Sequence, residues 1–337
     1  MVFFLLFLFV ASLSFLDIDV GNGKKFLVVF LKYLSMPCMF LLTYNNVTSE
    51  DTGKMSLLYF VIISIPLVVI GCLQLLLGTA NHFSNYWGQH YDRIYSTFAH
   101  PNQFAFYLAV IIFALLLMVQ KRILTRMSLI YCGIIIVSIL LTYSRAVWLC
   151  IGVCLAGIMI SSRRLWFPAI IGCMCLVFIL SPIIRTGMKD TIDPNIGQKN
   201  SVDMRLEITK SLLKQAFAQK PFLGFGLGTS EQLVKKYTKY PELPPHNDYI
   251  RVLVETGAIG CLAFILYLIS LFVLPLKRPQ LLITNVYLRI YNLMVLFLAV
   301  IIAATNHIGN VSTMGMWFAL LGIIYKMLQL SRQTECA

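Results

Sequence analysis

The sequence predicts an all-α integral membrane protein: a polytopic bundle of about ten transmembrane helices with one long extracytoplasmic loop that carries amphipathic helices. Three observations predict it. The 337-residue chain is 59% hydrophobic and only 12% charged, with a mean hydropathy of +0.81, whereas soluble domains carry about 25% charged residues. Its apolar runs approach the ~20 residues that a helix needs to cross a bilayer. The runs are continuous and lack the two-residue alternation of a membrane barrel, and a chain in lipid must pair its own backbone groups.

The spans follow in order. Met1 to Leu16 is a short apolar first helix or the remnant of one; it lacks the basic flank and clear cleavage site of a signal peptide. Phe26–Thr43 is the second span, followed by a polar loop from Tyr44 to Lys54, and Ser56–Leu77 is the third. Thr79–Asn102 is a polar loop with His82, His90, Arg93 and His100, and Gln103–Val119 is the fourth span. After the basic loop Lys121–Arg126 come Met127–Tyr143 and Ala146–Ile160, with Ser144-Arg145 between them. Arg163-Arg164 precede Leu165–Ile184, and a long polar segment then runs to about Glu255. Ala258–Leu276, Val286–Ala304 and Val311–Leu328 complete the set. The organisation is therefore 1–183 (N-terminal helices), 184–256 (loop) and 257–337 (C-terminal helices).

The net charge of +13 does not point to nucleic acid. The basic residues form short clusters between spans, as the positive-inside rule requires of cytoplasmic loops. Placing 121–126, 163–164, 277–278 and the C-terminus inside gives one alternating path, with the long loop outside. Lys24 and Lys25 then fall outside, against the rule. All five histidines, His82, His90, His100, His246 and His307, face outside on this path. The 184–255 loop contains no cysteine, which argues against a disulfide framework or thiolate metal site there.

Four features stand out as chemistry. Arg145 interrupts an apolar stretch, where a charge near mid-membrane costs about 2.5–3.5 kcal/mol on the lenient insertion scale. It either snorkels at the interface or binds an anion, since a guanidinium fork holds phosphate oxygens bidentately. Arg205 lies in a helical stretch whose Leu206, Thr209, Leu213 and Phe217 form one apolar face, as in a helix resting on a membrane surface. Gly224, Gly226 and Gly228 alternate, which permits a tight turn and a close backbone approach to a ligand or helix; the spacing is not the dinucleotide fingerprint. His246 follows Pro244-Pro245 and would share a helical face with Tyr249, Ile250 and Leu253; an ordinary imidazole can take a proton at neutral pH.

Taken together, these segments resemble a known family. Thr142-Tyr-Ser-Arg-Ala-Val-Trp148, a loop arginine, Pro221-Phe-Leu-Gly-Phe-Gly-Leu-Gly228, Pro244-Pro-His-Asn-Asp-Tyr-Ile250 and Glu255-Thr-Gly-Ala-Ile-Gly260 resemble the O-antigen ligase and polymerase superfamily in order and spacing. Arg93 and Thr97-Phe-Ala-His-Pro-Asn102 resemble that family's segment before a mid-chain helix. The resemblance covers roughly Arg93 to Leu276. It implies a GT-C-like glycosyltransferase of the bacterial inner membrane that uses no cofactor and no metal. The donor would be a glycan on undecaprenyl diphosphate, and the acceptor lipid A–core or another glycan. Arg145, Arg205 and His246 match the family's catalytic positions. Arg93, Asn102, Ser144, Gly224, Gly226, Gly228, Asn247 and Tyr249 would contact substrate. The family usually has twelve spans, more than this chain shows.

Three acceptors remain open at this level: lipid A–core (ligase), a carrier-linked chain (polymerase) or a protein hydroxyl (oligosaccharyltransferase). The ligase fits the His-Asn-x-Tyr run and glycine turn best. A polysaccharide-precursor transporter is the alternative from another class. It predicts broken helices and inverted repeats, and neither is legible in the sequence.

Overall fold

The computed structural model describes residues 2–14, 23–84, 90–152, 201–240, 244–273, 285–305 and 310–336. The expected span at 165–184, most of that at 146–160, the basic run 277–279 and His307 lie outside the described residues. The helices are α1 (Val2–Leu13), α2 (Gly23–Asn46), α3 (Glu50–Leu76), α4 (Pro101–Gln120), α5 (Thr125–Leu141), α6 (opening over 145–152), α7 (Ser201–Ser211, prolonged by the π-helical turn Leu212–Phe217), α8 (Ser230–Tyr237), α9 (Asp248–Val273), α10 (Val286–Ala304) and α11 (Val311–Cys336). Among the described residues, α2, α3, α4, α9, α10 and α11 are long and apolar enough to cross a membrane, and α1 and α5 are shorter apolar helices. The chain is an all-α polytopic membrane protein with one small exception. The expected loop 79–102 contains a two-stranded antiparallel hairpin, β1 (Asn81–Ser84) and β2 (His90–Arg93), with Asn81 opposite Arg93.

The described residues form two compact units. The first takes its residues from 1–31, 155–270 and 302–306, the second from 32–154, 271–301 and 307–337.

In the second unit α4 is the central helix. Nearly every side chain from Phe104 to Met118 is buried. Phe106 and Phe113 of α4 pack on Trp317 of α11 with ring centroids 5.1 and 5.6 Å apart, and Phe297 of α10 stacks on the same indole at 5.1 Å. The polar loop expected at 44–54 shrinks to Val47–Ser49. Ser49 and Thr52 form a capping box, and Glu50 and Asp51 occupy the first turn of α3. A helix N-terminus favours this chemistry because it offers unpaired N–H groups and a positive dipole end. At the other end of α4, Lys121 lies 4.0 Å above the Tyr287 ring, and the Tyr287 hydroxyl donates to Glu50 Oε1 at 3.2 Å.

In the first unit, Phe4 and Phe7 of α1 are fully buried, with Phe4 against Tyr267 and Phe7 against Phe264 of α9 (centroids 4.7 and 5.4 Å apart). Helices α7 and α8 share a core of Ile208, Leu212, Ala216, Leu233 and Val234 with Val254 of α9. On the Arg205 helix, Leu206 and Leu213 of the apolar face read from the sequence are exposed, and Ile208, Leu212 and Ala216 of a second face are buried. The buried positions are four apart. Such positions drift around a helix of 3.6 residues per turn, and the wider π turn brings them back into line. The buried face of α7 packs on α8 and α9.

Helix α9 is broken. Gly257 has φ 67° and ψ −173°, a non-helical conformation inside an otherwise helical run. The sequence shows no broken helix, so this is also a correction. The backbone of the glycine-rich segment occupies the break. Phe225 N–H donates to Val254 O (3.0 Å), Gly226 N–H to Glu255 O (2.8 Å), Ala258 N–H to Pro221 O (2.7 Å) and Ile259 N–H to Phe222 O (3.4 Å). Carbonyls at the end of one half-helix and amides at the start of the next are thus paired by protein. These four groups are therefore engaged by protein, unlike the open half-helix ends that coordinate solute in broken-helix transporters. A methyl group on Gly224 would sit 2.5–2.6 Å from Glu255 and Gly257 backbone atoms, and one on Gly257 would collide with the Phe222 carbonyl.

The backbone region of Gly257 is nearly exclusive to glycine, and occupying it costs other residues about 1–3 kcal/mol. Gly257→Ala should therefore lower the melting temperature of the detergent-purified protein markedly. Gly133→Ala, where an added methyl meets nothing within 4 Å, should not. Equal melting of the two variants would refute the stitched geometry.

Candidate functional site

The residues that the sequence singles out fall into two sets, one in each unit. In the second unit the organising side chain is Arg93, at the end of β2. Its Nε donates to Thr142 O (2.8 Å) and its Nη2 to Asn102 Oδ1 (3.0 Å). Thr142 caps the end of α5. Tyr143 then takes a left-handed φ of 52°, Ser144 follows, and Arg145 opens α6. The loop before α4 is fixed from α3: Gln74 accepts from the N–H groups of Tyr95 (3.1 Å) and Ser96 (2.9 Å) and donates to Ser96 O (2.8 Å). Arg93, Asn102, Ser144 and Arg145 thus come from one locally braced region. Burial, and then the like charge of Arg145, lower the Arg93 guanidinium to about 10. It stays protonated at neutral pH.

His100 is the N-cap of α4. Its Nδ1 accepts the Asn102 N–H at 3.1 Å, with Pro101 at the first helical position. Sequence reasoning gave His100 no role beyond its place in the loop. The pattern His-Pro-Asn before an apolar run was the available signal, since Pro favours that first position.

In the first unit, His246 lies outside α9, against the expectation of a shared helical face. It has φ 51°, a left-handed conformation uncommon for a residue with a side chain, and follows the half-buried Pro244 and buried Pro245. Asn247 is the cap of α9: its Oδ1 accepts from Tyr249 N–H (3.0 Å) and Ile250 N–H (3.2 Å). This gives Asn247 a structural task that needs no substrate. Tyr249 in the first turn sits 6.3 Å, centroid to centroid, from Phe264. Gly224 and Gly226 serve the break in α9, and Gly228 lies against Lys25 and Val29 at the start of α2. Arg205 is half-buried on α7, beside Met204.

The sequence analysis missed one pair. Glu255 is fully buried; its Oε1 accepts from Arg251 Nε (3.2 Å) and from the Ser230 N–H at the start of α8 (3.3 Å), while its carbonyl receives Gly226. Glu255 therefore joins α9, the glycine turn and α8. The signal was present as an Arg and a Glu four apart in an apolar run, the spacing at which helical side chains meet.

Crowding by neighbours, and then the positive charge of Arg93, hold His100 below its ordinary 6.5, although part of the ring reaches the surface. A depressed pKa means that the unfolded chain takes up the proton first as pH falls. The stability that His100 contributes is full above about pH 6.5 and is lost as pH drops through the folded value. Its cap role also requires an unprotonated Nδ1. His100→Asn keeps a cap acceptor that does not titrate, so its thermal stability should fall less between pH 7 and pH 5 than that of the parent. Parallel acid losses in the two proteins would contradict the cap.

Residues 130–265 match the family model described as O-antigen ligase. That stretch holds Ser144, Arg145, Arg205, the three glycines, His246, Asn247 and Tyr249, and excludes Arg93 and Asn102. No curated protein matches the chain. Over residues 130–265 the chain is thus similar to the O-antigen ligase family.

Proposed function

We propose that the chain is a membrane glycosyltransferase of the ligase type, which moves a glycan from undecaprenyl diphosphate to an acceptor hydroxyl, such as one of lipid A–core, on the outer face of a bacterial inner membrane. The observation that carries this reading is the O-antigen ligase match over 130–265, a stretch that includes Arg145, Arg205 and His246.

The bond to be broken joins the anomeric carbon to a diphosphate oxygen. Negative charge gathers on that oxygen as the bond lengthens, and fixed cations stabilise it. Arg145 and Arg205 are assigned that task. The acceptor oxygen attacks the anomeric carbon from the opposite face, its proton passes to a ring nitrogen of His246, and the carrier diphosphate leaves with the bonding electron pair. The anomeric centre inverts. The reading needs no metal, because the arginines supply the positive charge. The backbone supports the role of His246: Pro245 on one side and the Asn247 cap on the other leave its main chain little freedom.

The basic loop 121–126 belongs inside, so residues 201–240 belong outside. A cysteine at Lys236, an exposed position on α8, should react with an impermeant thiol reagent in intact spheroplasts. Reaction only after permeabilisation would reverse the orientation.

Removal of a general base typically slows a reaction by about 10²–10⁴-fold. His246→Ala, reconstituted with carrier-linked glycan and acceptor, should lose transfer on that scale while still binding the donor. A variant that works at more than about half the parent rate would remove His246 from catalysis.

A further inference from the structure

We propose that Phe222 and Leu223 form a membrane anchor: the turn that carries them inserts both side chains among the acyl chains of the bilayer and so fixes the depth at which the first unit sits. The proposal stands on the membrane class of the chain alone and holds whichever donor or acceptor it uses.

The first observation is exposure on a fixed backbone. Phe222 is 67% and Leu223 41% exposed, whereas Gly224 is buried and Phe225 half-buried. The turn is not a loose tip. Pro221 O and Phe222 O accept the N–H groups of Ala258 (2.7 Å) and Ile259 (3.4 Å), and Phe225 N–H donates to Val254 O (3.0 Å). Two adjacent large apolar side chains are therefore held outward by paired backbone on either side. Exposed apolar groups held together in this way mark a contact with a membrane or a partner. The pairing also suits lipid, where backbone carbonyls must find their partners within the protein.

The second observation decides which contact it is. Ile259, Leu262, Ile265, Ile269 and Val273 are all exposed. They stand three or four apart, so they line one face of the second half of α9. Helix α9 is long and apolar enough to cross a membrane, and an outward apolar stripe on such a helix faces acyl chains. Ile259 heads the stripe, and its N–H is the one that meets Phe222 O. The turn thus adjoins a surface that already faces lipid.

The third observation is the placement of charge. Ala258–Val273 contains no charged residue, whereas Asp248, Arg251 and Glu255 all precede the break at Gly257. At 1.5 Å per residue that uncharged half-helix is about 24 Å long, most of the ~30 Å hydrocarbon core. The break, and the turn bonded to it, therefore lie at one edge of that core. Lys220 stands just before Pro221 with its Nζ 5.1 Å from the centre of the Phe225 ring. A lysine at this depth keeps its stem on apolar surface while its ammonium reaches the headgroups.

The anchor has a consequence for the site. The stretch that inserts also grips the first half of α9 through Phe225 and Gly226, and His246 stands just before that half-helix. The depth of Phe222 thereby fixes the height of His246 at the membrane surface.

The test places a photoreactive residue in the full-length protein, reconstituted in vesicles of dioleoylphosphatidylcholine that contain no carrier lipid. Phe222→p-benzoylphenylalanine and Leu223→p-benzoylphenylalanine should both give acyl-chain adducts on irradiation, in yields comparable to the same change at Leu262. The same change at Lys236, exposed on α8, should give none. Each substitution adds bulk at an exposed position, so each variant should melt with the parent. Absence of lipid adducts at 222 and 223 would overturn the proposal. Cross-linking of the Phe222 variant to a second copy of the chain would make the patch a protein interface and also overturn it. So would adducts that form only after undecaprenyl diphosphate is added, because the patch would then hold the tail of the carrier.

Discussion

The break in α9 is the constraint on which the first unit depends. A helix interrupted at Gly257 leaves carbonyls and amides without their usual partners, inside a segment apolar enough to span a membrane. Such groups must find protein partners, and only a backbone close enough to touch provides them. The stretch 221–226 comes that close because Gly224 and Gly257 have no side chains at the contact. Much else in the unit follows. The start of α8 is tied to the break through Glu255, and the core of α7 and α8 closes on Val254. The first half of α9 is held at both ends, by the Asn247 cap and by the break. His246 stands immediately before that rigid half-helix.

The second unit solves a related problem by other means. The turn between α5 and α6 is held through the half-buried Arg93 guanidinium, which takes Thr142 O as one of its acceptors. The result is an N-terminus of α6 that follows a fixed turn in which Ser144 is buried.

Much of this was legible before the structure. Composition and run length gave the membrane class, and the order of short polar motifs gave the likeness to the O-antigen ligase family that residues 130–265 show. The glycines were read as allowing a close backbone approach, and the partner proved to be a helix. The break itself was not legible, because α9 reads as one apolar run on either side of Gly257 and nothing local reveals that another strand of backbone fills it. The second, buried face of α7 was not legible because periodicity assumes a uniform 3.6-residue turn, which the π turn at 212–217 does not follow. His246 was placed on a helix because Pro-Pro followed by apolar residues resembles a helix start. The cap proved to be one residue later, at Asn247, whose side chain can serve the first-turn amides.

The central claim is chemical: the chain joins a glycan to a hydroxyl by displacing a carrier diphosphate. The most direct measurement is to incubate the purified, reconstituted protein with carrier-linked glycan and acceptor and to identify both products by mass. The account predicts that intact undecaprenyl diphosphate is released in equal amount to the glycan joined to acceptor. Glycan transport without a new covalent product, or release of the carrier as monophosphate with a phosphoglycan product, would contradict it.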